Sequence, residues 1–173
     1  MNIKKVVAIN ICLIMLFVSF LANAEQIKDG FGKILLPDSS EYEGDFKNGL
    51  FNGKGTLVWR NGSSYSGDFK DGLMDGKGIY FEKDGSKYEG EFKGGLPHGA
   101  GGYFFSNGDT YEGEMRDGAM SGKGVLILGN KDRYDGEFKK GKFHGEGTYV
   151  HVEDGDGKIE LSGIWENGQY IGK

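Results

Sequence analysis

Glycine recurs in this chain on a fixed 23-residue period, and no other feature constrains the fold as tightly. Tyr42, Tyr65, Tyr88, Tyr111 and Tyr134 stand 23 residues apart, and each opens a unit with glycine in the same four columns. The third column is Gly44, Gly67, Gly90, Gly113 and Gly136; the eighth is Gly49, Gly72, Gly95, Gly118 and Gly141. The twelfth and fourteenth form Gly-x-Gly pairs at Gly53/Gly55, Gly76/Gly78, Gly99/Gly101, Gly122/Gly124 and Gly145/Gly147. Of 33 glycines, 25 fall in these columns or in partial units at the two ends. Such a content belongs to a regular architecture, not to disorder.

Inside each unit the pattern has period 2. In Tyr65-Ser66-Gly67-Asp68-Phe69 the odd positions are aromatic or glycine and the even ones polar, as in a half-exposed strand. A loop of about seven residues, Lys70 to Gly76, is expected next, then a second strand from Lys77 to Glu82. Asn61-Gly62 and Asn107-Gly108 read as type I′ hairpin turns leading into the following unit. Each unit is then one β-hairpin, and the units join into an all-β, elongated, single antiparallel meander sheet of about twelve strands, ~50 to 55 Å long at ~4.8 Å per strand.

Glycine weakens strands, so its recurrence needs a cause. The tyrosine and phenylalanine of the first strand are expected to lie flat over the Gly-x-Gly of the neighbouring strand, where a Cβ would push the rings away. The eighth-column glycine is expected at positive φ. The tyrosines and the Phe/Met column (Phe46, Phe69, Phe92, Met115, Phe138) should form two ladders repeating every ~10 Å. Position four is always acidic (Asp45, Asp68, Glu91, Glu114, Glu137), and position six is always basic (Lys47, Lys70, Lys93, Arg116, Lys139). These read as a solvated charge pattern, each exposed pair worth only ~0 to 1 kcal/mol.

Residues 1–24 differ in kind. Lys4 and Lys5 precede an almost wholly apolar run from Val6 to Leu21, and Ala22-Asn23-Ala24 closes it as an A-x-A cleavage site. The pattern predicts a secretory signal peptide cleaved after Ala24, with an uncleaved anchor as the competing reading, and a periplasmic or secreted protein beginning at Glu25. The single cysteine, Cys12, lies inside the apolar run, so the exported chain uses no disulfide. It keeps 19 basic against 26 acidic residues, a net charge of −7. That balance disfavours non-specific binding to nucleic acid and to anionic lipid.

The motif Tyr-x-Gly-x-x-x-x-Gly-x-x-x-Gly-x-Gly resembles the MORN repeat (membrane occupation and recognition nexus). Full copies span residues 42–64, 65–87, 88–110, 111–133 and 134–160, the last carrying four extra residues in the turn from His151 to Lys158. Gly30 and Gly32 place a half-repeat at 29–41, and Gly163, Gly168 and Gly172 place a terminal one at 161–173, making residues 25–173 one repeat domain. In the terminal half, Leu161 replaces tyrosine and Trp165 replaces phenylalanine, and Trp165 reads as a cap over an open edge. The resemblance implies a non-catalytic module engaged in scaffolding, self-association or phospholipid contact.

Chemistry-bearing residues support no enzyme. His98 and His144 share the eleventh position two units apart, about 19 Å by strand spacing, and His151 falls in the insertion, so all three read as surface histidines. Paired carboxylates such as Glu43 and Asp45 recur in every unit. Asp154-Gly155-Asp156-Gly157 resembles half a calcium loop but lacks the ligand spacing of an EF-hand. No cofactor motif is present, and the Gly-x-Gly pairs open strands, not helices. The expectation is an exported interaction scaffold that binds a protein partner or a second copy. A phospholipid surface on Lys47, Lys70, Lys93, Arg116 and Lys139 and a glycan platform on the aromatic ladders are the alternatives.

Overall fold

A computed structural model describes residues 27–152 and 157–173. The expected signal peptide and residues 153–156, which hold most of the partial calcium loop, lie outside them. The strands are β1 (Gly30–Leu35), β2 (Glu41–Lys47), β3 (Leu50–Val58), β4 (Ser64–Lys70), β5 (Leu73–Phe81), β6 (Lys87–Lys93) and β7 (Leu96–Phe104). They continue as β8 (Thr110–Arg116), β9 (Ala119–Ile127), β10 (Arg133–Lys139), β11 (Lys142–Val152), β12 (Lys158–Glu166) and β13 (Gln169–Gly172). All pair antiparallel in sequence order, so the described chain is one 13-stranded meander. The sequence suggested about twelve; the terminal partial unit is itself a hairpin, β12 and β13, rather than one strand.

The expected seven-residue loop is a two-residue turn. Asn48 and Gly49 have φ of 52° and 77°, Asp71 and Gly72 51° and 85°, and the same holds at Asp117–Gly118, Lys140–Gly141 and Asn167–Gly168. Two consecutive left-handed residues make a type I′ turn, whose twist matches the flanking strands. These glycines, and Gly95 of the equivalent Gly94–Gly95 turn, donate their N–H to the preceding repeat, as in Gly72 N–H to the Phe51 carbonyl at 2.9 Å and Gly95 N–H to that of Met74 at 2.9 Å. The Asn61-Gly62 turn is not type I′, since there only Gly62 has positive φ (87°). The Trp59 carbonyl accepts from Gly62 N–H at 2.9 Å, and Asn61 Oδ1 accepts from Ser63 N–H at 2.9 Å.

A β-bulge occupies the rest of the supposed loop. In β2 and β3, Gly44 faces Gly55 and Phe46 faces Phe51, so Asp45 alone stands opposite Asn52, Gly53 and Lys54. The same register shift recurs in β4/β5, β6/β7, β8/β9 and β10/β11. Gly53, Gly99, Gly122 and Gly145 take φ between 60° and 71° inside it, and Gly76 takes 113°. The position-four acid spans the bulge. Asp45 accepts the Lys54 N–H at 3.1 Å, Asp68 that of Lys77 at 2.9 Å, and Glu114 that of Lys123 at 3.3 Å. In these three units the acid is thus a backbone cap and not merely solvated charge.

One glycine from every strand of β1 to β12 stands directly opposite the next, from Gly32, Gly44 and Gly55 through to Gly147 and Gly163. Rings cover this line, as expected for the fourteenth column. A Cβ on Gly124 would lie 2.6 Å from the Tyr111 hydroxyl and ring edge. The expectation fails for the twelfth column, where the bulge acid and not a ring lies above the glycine: a Cβ on Gly53 would meet the Asp45 carboxylate at 2.7 Å. Each tyrosine hydroxyl donates to the position-four carbonyl exposed by the bulge, at 2.9 Å from Tyr42 to Asp45 and 2.7 Å from Tyr111 to Glu114.

The tyrosines are 0–1% exposed and form the centre of the core. The two expected ladders are one interlocked stack. Tyr65 meets Phe69 of its own unit edge-on at 5.0 Å and Phe92 of the next at 4.9 Å, and Tyr42 lies flat on Phe51 at 3.6 Å. Edge and offset ring contacts of this kind add about 0.5–1.5 kcal/mol each beyond area burial. At the N-terminal end, where no tyrosine precedes Gly32, the Ile27 side chain lies over that glycine instead. At the other end Trp165, 6% exposed, packs edge-on against Tyr134 at 5.4 Å and donates Nε1–H to the Gly147 carbonyl at 3.0 Å.

Two outcomes follow from this packing. Gly124→Ala should cost about 1–3 kcal/mol by overpacking against Tyr111. Gly102→Ala, whose Cβ would meet Phe104 at an ordinary 3.4 Å, should stay within about 0.5 kcal/mol in urea melts; equal losses would refute the ring-over-glycine account. Burial also pushes the tyrosines up, Tyr88 and Tyr134 to about 12 and Tyr42, Tyr65 and Tyr111 further. The unfolded chain therefore ionises first. Stability should be intact below pH 10 and fall above it by about 1.4 kcal/mol per tyrosine per pH unit, so a urea midpoint unchanged at pH 11 would contradict the burial.

Candidate interaction groove

The inward face is closed by its own rings, so the open concave surface lies on the outward face. The bulges bend the strands, and this face hollows into a groove of about 1510 Å³ running from Phe31 on β1 to Ile127 on β9. A smaller hollow of about 630 Å³ continues from Lys123 to Ile164 and Lys173. The glycine line forms the floor, with Gly44, Gly55, Gly67, Gly78, Gly90 and Gly101 all lining it.

Two rows of directly paired residues run along the groove. The first carries an acid on alternate strands, Glu43, Glu89, Glu112 and Asp135, interleaved with Thr56, Ile79, Gly102 and Val125. Ser66 interrupts the acids on β4. The second row places an apolar side chain on alternate strands: Leu35, Val58, Phe81, Phe104 and Ile127. Val58, Phe104 and Ile127 line the groove, and they and Phe81 are 42–45% exposed. The far wall is Lys54, Lys77, Ala100 and Lys123. Lys54 Nζ bonds Asp68 at 2.7 Å, and this ammonium is the main reason the Asp68 carboxyl sits below its usual range.

Lys47, Lys70, Lys93, Arg116 and Lys139 lie elsewhere, at the strand ends beside the type I′ turns, exposed and outside the groove. Among the described residues none of the five forms an ion pair, because the acids expected to shield them are drawn into the bulges. The glycan platform does not survive, since the tyrosine ladder is buried.

The histidines separate. His98 Nδ1 is 3.7 Å from Asp117 Oδ1 near a turn, while His144 is half-buried in β11. His151 is not a loop residue: it lies in β11, and its Nδ1 is 2.8 Å from Asp132 Oδ1. Asp132, 3% exposed, also accepts from the Tyr149 hydroxyl at 2.6 Å, Asn130 Nδ2 at 3.0 Å and Val152 N–H at 3.0 Å. Burial alone would raise its carboxyl, but these donors outweigh burial and hold it well below the usual range. Burial, then Asp132, pushes Tyr149 up to about 12. The cluster closes the β10–β11 end, where Asp132 replaces the buried serine that other units hold at Ser63 and Ser86. Sequence reasoning missed it because its members are 17 and 19 residues apart and meet only through the β10/β11 pairing.

No curated protein matches the chain. The family model for the MORN repeat matches residues 42–64, 65–87, 88–110, 111–133 and 134–152, well over half of the sequence. MORN repeats are generally non-catalytic and typically serve as scaffolds for protein and membrane interaction. With five tandem matches laid over one continuous meander of bulged hairpins, the chain belongs to the MORN-repeat family.

Proposed function

We propose that this protein is an exported, non-catalytic scaffold that seats a segment of a partner protein in the outward groove. The observation that carries the reading is the groove itself: about 1510 Å³ of continuous concave surface, floored by glycine and edged by exposed apolar side chains. Rows of singly repeated groups spread over nine strands suit a long ligand held at many points better than a small molecule held at one. The arrangement Lys-Lys, apolar run and Ala22-Asn23-Ala24 supports export. Self-association is the second reading, favoured by β1, an edge strand among the described residues that presents Phe31 at 70% exposure.

A photo-crosslinking residue in place of Ile79, inside the groove, should yield a discrete protein adduct in the envelope or medium of the native cell. The same residue in place of Lys70, at the turn edge, should not. An adduct of twice the chain mass would assign the groove to a second copy; no adduct, or identical adducts from both positions, would remove the groove from the function.

A further inference from the structure

The groove's two rows share one period, and that period selects the conformation of its occupant; this rests on the groove being the binding surface. Equivalent side chains lie two strands apart, about 9.6 Å. An occupant lying across the strands must return the same side-chain direction at that distance to meet Val58, Phe81, Phe104 and Ile127 in turn. A β-strand returns it every second residue, at about 6.6 or 13 Å, and so falls out of step at once. An α-helix returns it after seven residues, about 10.5 Å, and slips by about 3 Å over these three intervals. A polyproline II helix returns it every third residue, about 9.3 Å, and slips by only about 1 Å.

Charge sets the second requirement. The groove is lined by Glu41, Glu43, Glu89, Glu91, Glu112 and Glu114 against Lys54, Lys77 and Lys123. Lys33 at its edge pairs Glu41 at 2.7 Å and Glu43 at 3.4 Å, and the acidic excess that is left favours a cationic occupant. The chain itself shows how a cation sits there. Lys87 Nζ lies 3.0 Å from Glu89 Oε2 and 4.4 Å from the centre of the Phe104 ring, so one ammonium meets an acid of the first row and an apolar group of the second. One repeat later Thr110 stands in the place of Lys87, between Glu112 and Ile127, and leaves that seat to a ligand.

We infer that the groove takes a proline-rich, basic polyproline II segment, one apolar or proline residue and one lysine or arginine per three-residue turn. The apolar group rests on the Val58–Ile127 row while the cation reaches the acidic row, meeting Glu112 directly and competing with Lys33 for Glu43 and with Lys87 for Glu89. Such a segment is already extended before binding, which lowers the ordering cost.

The test is fluorescence anisotropy with three labelled peptides, (Pro-Pro-Lys)5, (Gly-Ser-Lys)5 and (Pro-Pro-Glu)5, on the purified protein. The first should bind at least about tenfold tighter than the flexible peptide of equal charge, and the acidic one should not bind. The triple variant E43Q/E89Q/E112Q should weaken (Pro-Pro-Lys)5 at least about tenfold with its urea midpoint unchanged. Equal affinity for both cationic peptides, or full affinity in the triple variant, overturns the inference. Failure of (Pro-Pro-Lys)5 while the Ile79 adduct stands also overturns it, yet leaves the groove as the binding surface.

Discussion

A tyrosine ring lying over two directly paired glycines is the contact on which the rest of this sheet depends. A single layer has no second layer to bury against, so it must supply both the floor and the cover of its own core. The glycine line removes every Cβ beneath the rings, and the rings then shield both themselves and the sheet beneath. The bulge supplies the polar half of the arrangement. It frees a carbonyl at position four, and the tyrosine hydroxyl, carried there by its own ring, donates to it at 2.7–3.1 Å in all five full units. A buried carbonyl without a partner would cost about 1–3 kcal/mol, so ring, glycine and bulge are one device repeated.

That device divides labour between the two faces. Inward, every apolar side chain is committed to a stack that links each unit to the next through contacts such as Tyr65 with Phe92. Outward, the same bend makes a groove whose floor has almost no side chains, so its character is set by the rows at its sides. The first row is not required by the fold. Position fifteen varies through Thr56, Ile79, Gly102 and Val125, and position two through Glu43, Ser66, Glu89 and Glu112, without change of register. Freedom of this kind is what a binding surface needs.

The period, the hairpins, the meander and the covering of the fourteenth-column glycine were legible in the sequence, because each is a local pattern written five times. The bulge was not. Nothing in Asp68-Phe69 or Asp75-Gly76-Lys77 shows which residue is skipped in pairing, and a bulge of this type reads as a longer loop. The Asn-Gly dipeptide was also misassigned: Asn61-Gly62 and Asn107-Gly108, expected as type I′ turns, have only the glycine at positive φ, whereas Asn48-Gly49, expected inside a longer loop, adopts the type I′ turn, since strand spacing and not the dipeptide decides how many residues turn. The Asp132, Tyr149 and His151 cluster breaks the period instead of following it, and column arithmetic discards such residues.

The most direct measurement of the central contact is a double-mutant cycle between Tyr88 and Gly101, read as urea-unfolding free energies. A Cβ on Gly101 would stand 2.6 Å from the Tyr88 ring edge, so Gly101→Ala should cost about 1–3 kcal/mol in the natural background. Once Tyr88→Leu has removed the ring, the added methyl should cost little, a coupling of about 1–2 kcal/mol between the two sites. Additive losses, with alanine as harmful beneath leucine as beneath tyrosine, would show that glycine is required there for the backbone alone and would contradict the account.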